Sequence, residues 1–341
     1  MSTATPQHTD RTIDGEPIPT LDDIASQHFA LTPWVVRTPV FDRMDFPTLE
    51  GTLVNFKFEL LQAGGSFKAR GAFTNLLALA PVQRSAGVTC VSGGNHAVAV
   101  AYAAMRTGIS AKVVVMHAAN PARIALCRQY RAEVVVAENV TEAFEIVRRI
   151  EAEEGRYFVH PFNGYRTVLG TATLGYEWAT QTPDLDAVIV PIGGGGLAAG
   201  VSTALRLANP RVHVYGVEPE GADVMSRSFA ANHTVKMSHM QSIADSLMAP
   251  HTEQYSYELC RRHVDRLVTV TDDALRAAML TVFTQLKLAV EPACAAATAA
   301  LLGPLREQLQ GTRVGVLLCG TNTDPATLAA HIEQARAAEV Y

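Results

Sequence analysis

The sequence predicts an α/β fold of parallel twisted sheets with helices on both faces, in two compact units, and three observations predict it. Short β-branched runs alternate with longer amphipathic or alanine-rich runs, the pattern of parallel strands joined by helices. Three strand-like runs end in unusual Gly- or Asn-containing turns, at the place where open α/β sheets bind ligands. A length of 341 residues exceeds one ordinary core and asks for two units, or for one large domain with an insertion.

Taken along the chain, the first stretch, "MSTATPQHTDRTIDGEPIPT", is polar and lacks the apolar run of a secretory signal, so it reads as a flexible tail. Strands are predicted at 52–59 (TLVNFKFE), 88–92 (VTCVS), 111–116 (AKVVVM), 132–137 (AEVVVA) and 157–160 (YFVH). Four more follow at 186–192 (DAVIVPI), 212–218 (VHVYGVE), 266–270 (RLVTV) and 313–319 (RVGVLLC). Helices fall between them. Gly108 and Gly155 stop two of these helices, and Thr271 with Asp272 and Asp273 opens "DALRAAMLTVFTQLKL". There is no internal repeat, and the only biased segments are the tail and an Ala-rich patch at 293–300.

Composition excludes several classes. With 48% hydrophobic and 18% charged residues the chain reads as globular, and a net charge of -5 leaves no basic excess to neutralise nucleic-acid phosphates. A small neutral or zwitterionic ligand fits better. No apolar stretch reaches the roughly 18 residues of a membrane span. Five cysteines lie far apart without a CxxC pair, which is neither a zinc pattern nor a disulfide scaffold and points to a reducing cytoplasm. His117, His160, His251 and His263 lack metal-ligand spacing and read as structural. No Gly-x-Ser-x-Gly elbow supports a serine hydrolase.

Lys68 stands in "LQAGGSFKARGAF" between a Gly-Gly-Ser turn and a helix start; alone it is either a solvated surface charge or a placed amine. "VTCVS" runs into "GGNHAVAVAYAAMRTG", so Ser92, Gly93, Gly94, Asn95 and His96 form a turn that opens a helix. Free N–H groups there attract an anion such as a substrate carboxylate. A plain turn capped by Asn95 reads equally well. "DAVIVPI" runs into "GGGGLAAGVSTALRL", where four glycines cost more entropy than a plain turn needs and amides unshielded by Cβ atoms can wrap a phosphate. Gly193, Gly195 and Ala198 also match G-x-G-x-x-A, with Glu218 about where a ribose-binding acid stands, so a dinucleotide site is the rival reading. That rival leaves Lys68 and the Asn95 turn without a task. "RVGVLLC" runs into "GTNTDP", which puts Cys319 at a buried strand end, as a structural thiol or as a site residue.

In this order and spacing, "GSFKARGA", "SGGNHA", "GGGGLAAG", "EPACAAATAAL" and "CGTNTD" resemble the motifs of tryptophan synthase β-like (fold type II) pyridoxal phosphate enzymes, and within them the threonine/serine dehydratases and serine racemases. The resemblance runs from about residue 30 to 335. It implies a two-domain architecture: a flexible tail at 1–28, a large cofactor-binding domain at 29–82 and 165–341, and a small domain at 83–164, with the cofactor in the cleft. It implies that Lys68 carries pyridoxal phosphate as a Schiff base, that Phe67 packs beside its ring, and that Asn95 hydrogen-bonds the ring hydroxyl. Gly193, Gly194, Gly195, Gly196 and Leu197 would hold the phosphate through backbone amides; Ser92, Asn95 and His96 would receive the substrate carboxylate. Cys319 stands where the family usually has Ser or Thr against the pyridine nitrogen. A homodimer is also implied.

The implied chemistry is elimination. A Lys68 amine whose pKa is lowered by a dry site removes the Cα proton, the cofactor delocalises the electron pair, and a β-hydroxyl leaves, giving a 2-oxo acid and ammonia. A thiol, with a reference pKa of about 8.5, cannot hold a ring proton as a carboxylate would, which suits β-elimination better than transamination.

Three departures from the family pattern bear on substrate. Gly93 stands where racemases usually place a second serine, so efficient racemisation is not expected. In "EPEGADV", Glu218 and Ala222 match a divalent-cation site, but the second acid's position is Val224, with Asp223 one residue early, so no metal is expected. "SIADSLMAPHT" replaces the usual "ADG" turn; bulky Leu247 and Met248 either reshape the pocket toward an aryl-serine or are a neutral variant. The residues after "GTNTDP" are too few for the regulatory domain of biosynthetic threonine dehydratases. The expected function is therefore a cytoplasmic pyridoxal phosphate-dependent ammonia-lyase acting on threonine, serine or an aryl-serine, a small-molecule enzyme with no nucleic-acid or membrane partner. A racemase or β-replacement enzyme of the same fold is the alternative, and a dinucleotide-binding oxidoreductase or a non-catalytic cofactor-binding protein the alternative of another class.

Overall fold

The β-branched runs do become strands of parallel sheets in the computed structural model, which describes residues 11–47, 50–117 and 119–339. The larger sheet contains β3 (Val40–Arg43), β4 (Leu53–Lys57), β9 (Ala187–Pro191), β10 (His213–Pro219), β11 (Arg266–Val270) and β12 (Arg313–Leu317) in the order β11-β10-β9-β12-β4-β3. Its strands pair in parallel except β3 with β4. The smaller sheet, β5 (Val88–Val91), β6 (Ala111–Met116), β7 (Glu133–Ala137) and β8 (Tyr157–Phe158), runs β7-β6-β5-β8 and is parallel throughout. All five residues of β9 are buried, as a strand covered on both faces requires.

Two features depart from the sequence reading. The supposed flexible tail is ordered from residue 11 on, whereas residues 1–10 lie outside the described residues. β1 (Thr12–Ile13) and β2 (Glu16–Pro17) make an antiparallel hairpin through Asp14 and Gly15, both at positive φ, as a tight two-residue turn demands. The hairpin is tied down where the Tyr255 hydroxyl donates to the Pro17 carbonyl at 2.5 Å. The next element, α1 (Leu21–Leu31), carries a full capping box between Thr20 and Asp23 and buries Ile24 and Leu31. The second departure is β3, an antiparallel edge strand with no β-branched run to announce it.

Helices α2 (Lys68–Leu77), α3 (Pro81–Ala86), α4 (Asn95–Thr107), α5 (Pro121–Gln129) and α6 (Val140–Glu154) are followed by α7 (Tyr165–Gln181), α8 (Gly196–Ala208), α9 (Val224–Ala231) and α10 (Gln254–His263). α11 (Asp272–Leu286), α12 (Pro292–Leu302) and α13 (Pro325–Glu339) complete the set. Gly108 and Gly155 end α4 and α6 in the left-handed conformation, and the Thr271 side chain caps α11.

α7 is the central spacer. A Cβ on Gly170 of α7 would lie 2.6 Å from the Cα of Gly71 in α2, and one on Gly175 would lie 2.6 Å from the Val201 carbonyl in α8. The three helices are thus packed backbone to backbone. Beneath this crossing lies a buried ionic network. Arg70 on α2 donates to both oxygens of Glu59 at 2.6 and 3.1 Å and to Glu177 of α7 at 3.1 Å. Lys57 of β4 donates to Glu177 at 2.5 Å, to Gln181 at 2.7 Å and to the Thr38 carbonyl at 2.8 Å. Burial pushes Glu177 up, but Arg70 and Lys57 pull it further down, so its pKa is lowered and it stays ionised. Burial lowers Lys57 against the opposing pull of Glu177.

Removing one partner strands the others, so Glu177→Gln is expected to cost about 3–5 kcal/mol of unfolding free energy, read from the urea midpoint. A loss below about 1 kcal/mol, the worth of an exposed pair, would show that water reaches the network.

Candidate active site

A cavity of about 680 Å³ lies between the two sheets and collects the ends of β5, β9 and β12. Phe67, Lys68, Ser92, Asn95, His96, Gly193, Gly194, Gly195, Gly196, Leu197 and Cys319, the residues singled out in the sequence, all line it. The arrangement follows from the fold: strands that run in parallel deliver their following loops to one edge, and α2 brings its first residue to the same place.

Lys68 opens α2 and is half-buried along the cavity wall, where its Nζ donates to the Pro161 carbonyl. Burial lowers its pKa to about 8, with a small opposing push from Cys319. The Phe67 ring centroid lies 5.1 Å from Nζ.

Opposite is the glycine loop. A Cβ on Gly193 would sit 3.1 Å from the Leu247 backbone, and one on Gly196 2.8 Å from the Phe162 Cα; Gly195 has φ +99°. Among the described residues no backbone carbonyl accepts from the amides of Gly193 through Leu197, and the α8 dipole adds to their pull on an anion. Thr252 fixes the loop by donating to the Gly194 carbonyl at 3.0 Å.

In the Ser92–His96 turn, the Gly94 amide donates to the Ser92 hydroxyl at 3.0 Å, which leaves the Ser92 proton free to face a ligand. His96 departs from the role expected of it. Its Nε2 faces the Val159 carbonyl at 2.8 Å, so that nitrogen carries the proton and Nδ1 is left as an acceptor. Burial first, and Lys68 second, hold its pKa at about 3, so the ring is neutral and its side chain offers no N–H to a carboxylate. Only its backbone amide, in the first turn of α4, remains for that task.

Asn95 is held on two sides. Its Nδ2 donates to Glu291 at 2.6 Å, and Asn322 donates to its Oδ1 at 2.7 Å, leaving one amide proton for the cavity. Glu291, missed in the sequence reading, stands at the N-cap position of α12 with its side chain turned to Asn95 and Arg123; burial raises its pKa to about 7 against the pull of Arg123. Arg123, from α5, spans the cleft to Glu291 at 3.3 Å and to Asp245. The signal was present in "EPACAAATAAL", an acid directly before a Pro at a helix start, but its partners lie 168 and 196 residues away.

Cys319 is buried, with its thiol pKa raised by Cys294 and by burial, so it is a neutral group at the cavity floor. Glu218 is fully buried: its oxygens accept from the Met225 and Ser226 amides at 2.7 and 2.8 Å and from the Ser226 hydroxyl at 2.6 Å. It is a cap for α9. A Cβ on Gly93 would meet the Ala119 Cβ at 3.0 Å and the Met116 Cε at 3.2 Å, so this glycine lets the loop after β6 close on the turn. His160, read as structural, lines the cavity and accepts from the Asn163 amide at 2.9 Å; burial, then Lys68, lowers its pKa to about 4.

Comparison with known proteins points to one family. A family profile described as "Pyridoxal-phosphate dependent enzyme" matches residues 31–320. The chain is 70% identical over 320 residues to phenylserine dehydratase of Ralstonia pickettii, covering 94% of this chain and 98% of that protein. It is 35% identical to L-threonine ammonia-lyase of Thermotoga maritima, covering 89% and 76%. Among solved structures, maize serine racemase superposes with a TM-score of 0.87 at 32% identity, covering 94% of this chain and 99% of that one.

In ligand-free protein, acylation of Lys68 followed by peptide mass is expected to reach half its maximal rate near pH 8, while Lys112, raised by Glu154 and Glu133, reacts only at higher pH. A Lys68 midpoint near an ordinary lysine value of about 10.4 would show a wet site.

Proposed function

The chain belongs to the pyridoxal-phosphate dependent enzyme family, and from that premise we propose that its substrate is phenylserine, converted to phenylpyruvate and ammonia. It is a pyridoxal phosphate-dependent ammonia-lyase of β-hydroxy amino acids. The observation that carries the substrate is the 70% identity to phenylserine dehydratase across 94% of the chain. The cavity supports it: 680 Å³ lies within the about 300–1,000 Å³ of pockets that hold drug-sized ligands.

The residues fit the cofactor. A loop of four glycines pressed on Leu247 and Phe162 leaves its amides bare for one phosphate, and a lysine with lowered pKa faces it across the cavity. Phe67 would supply an apolar surface, the spare Asn95 proton would be available to a ring hydroxyl, and Cys319 would offer a neutral thiol to a ring nitrogen. When bound, pyridoxal phosphate supplies an electron-poor ring that stabilises negative charge on the substrate Cα. The Ser92 hydroxyl and the Asn95 and His96 amides hold the substrate carboxylate. The Lys68 amine, neutral in a substantial fraction near pH 8, takes the Cα proton. The C–O bond to the β-hydroxyl then breaks and water departs. Hydrolysis of the released enamine, through its imine, returns that water and frees ammonia, so the sum is one amino acid to one 2-oxo acid and one ammonia.

Racemisation is disfavoured on this reading because Met116 and Ala119 fill the space beside Gly93 where a second acid-base side chain would stand. No divalent cation is expected, because Glu218 is engaged as the cap of α9 and the second acid position of such a site is Val224. The same reading assigns a small domain to 83–164 and the large domain to 29–82 and 165–341, and makes the protein a cytoplasmic homodimer. Among the described residues no helix is long and apolar enough to cross a membrane.

Purified protein is expected to release phenylpyruvate from phenylserine in preference to 2-oxobutanoate from threonine, and Lys68→Ala to abolish both. Release from threonine or serine alone would refute the aryl assignment. Chelation by EDTA is expected to leave the rate within twofold; a loss restored by Mg²⁺ or Ca²⁺ would overturn the reading of Glu218 as a cap only.

A further inference from the structure

The sequence left Leu247 and Met248 as either reshaping the pocket toward an aryl-serine or a neutral variant; both line the cavity, and the Leu247 backbone lies 3.1 Å from a Cβ on Gly193 of the glycine loop. Leu247 belongs to the phosphate side of the cavity. The other side has a wall of different character. Val140, Phe144 and Arg148 stand at i, i+4 and i+8 of α6, which puts them in one stripe of that helix, and all three line the cavity. Met116, at the end of β6, also lines it and packs with Phe144 against the same small apolar cluster of Val91, Val114 and Val147. Met116 also reaches the substrate turn, its Cε 3.2 Å from a Cβ on Gly93 beside the Ala119 Cβ at 3.0 Å.

Resting on the aryl-serine reading, we propose that the Val140–Phe144 stripe and Met116 form the site for the substrate's aromatic ring, and that Phe144 is the residue that sets the preference for β-aryl over β-alkyl substrates. The geometry gives the order of groups. A carboxylate held at Ser92–His96 leaves the Cβ substituent next to Met116 and Gly93, and from there the apolar path leads along α6 to Phe144. Phe144 is the half-buried member of the stripe, between the exposed Val140 and Arg148 where the lobe meets water. A methyl group, as in threonine, is too short to reach Phe144 and gains nothing from it. A phenyl ring gains both burial and an aromatic partner.

The test compares wild type with Phe144→Ala, Phe144→Leu and Met116→Ala. One readout is binding without turnover: L-phenylalanine has no β-hydroxyl to lose, and its binding to the holoenzyme is followed by the visible absorbance of the cofactor, with L-alanine as reference. Phe144→Ala is expected to weaken phenylalanine binding about tenfold and alanine binding less than twofold, the discrimination that one aromatic contact provides. Phe144→Leu should recover part of the loss. In turnover, the phenylserine-to-threonine ratio of kcat/KM should fall about tenfold in Phe144→Ala, mainly through KM. Phenylalanine binding and that ratio both unchanged in Phe144→Ala would overturn the inference, as would equal weakening of alanine. If Phe144→Ala does not fold, Phe144→Leu and Met116→Ala decide the same question. Absence of phenylpyruvate from wild type would sink the substrate reading, while the phenylalanine titration would still judge the ring site.

Discussion

The site depends on a buried charge network that holds α2 in place. Arg70 lies two residues beyond Lys68 on that helix, and its guanidinium is locked by Glu59 below β4 and by Glu177 on α7, which in turn holds Lys57. Two cations and two carboxylates, all shielded from water, balance to no net charge. Such a cluster is costly to desolvate and gains little over an apolar core, but its geometry is unforgiving: each member has one arrangement in which all bonds are made. What it gives is a fixed rotation and height of α2, and so a fixed origin for the lysine. The pairing Lys57–Glu177 also ties α7 to the sheet.

α7 then sets the distance from the lysine to the phosphate loop. Gly71 and Gly170 bring α2 against its first half, and Gly175 brings α8 against its second. α8 starts in the glycine loop itself, so the spacing between Lys68 and the bare amides of Gly193–Leu197 is set by two backbone contacts with one rigid helix. A Cβ at Gly170 or Gly175 would push one catalytic element from the other. The site is built on helix ends joined through a common support, which is more exact than two loops could be.

The sequence showed the parts of this site that are local. Lys68, the Ser92–His96 turn and the glycine loop are each written in a few adjacent residues at a strand or helix end, where turn chemistry leaves a readable mark. The assembled partners were not readable: Glu291, Arg123 and Asp245 meet from three distant segments, and Phe144 is one of many apolar residues on an ordinary amphipathic helix. His96 was read by its chemistry, but the Val159 carbonyl that fixes its tautomer lies 63 residues away. The tail was misread for a different reason, since polar composition was weighed above the Asp14-Gly15 pair, which is itself a hairpin signal. β3 carries no such mark, because an edge strand with little buried surface has little need of a hydrophobic pattern.

The protonation of the cavity explains why elimination is the chemistry that this scaffold favours. Burial keeps His96 and His160 neutral and lowers Lys68 to about 8, while Cys294 and then burial raise the Cys319 thiol. The buried Arg123–Glu291 pair, with Asp245, sits on one flank, and the further cations of the lining, Arg148 and Lys236, are exposed. On the proposed reading, a ring nitrogen set against the neutral Cys319 thiol would not be held protonated, and the cofactor would withdraw electrons less strongly than opposite a carboxylate. Negative charge on Cα would then be stabilised only in part and would need another exit. A β-hydroxyl provides one in the same molecule, because its departure as water removes the charge from Cα altogether. On the proposed aryl-serine reading, an aryl group on that β-carbon would help the departing bond by conjugation with the new double bond, so a weak electron sink and the proposed apolar lobe would favour the same substrate.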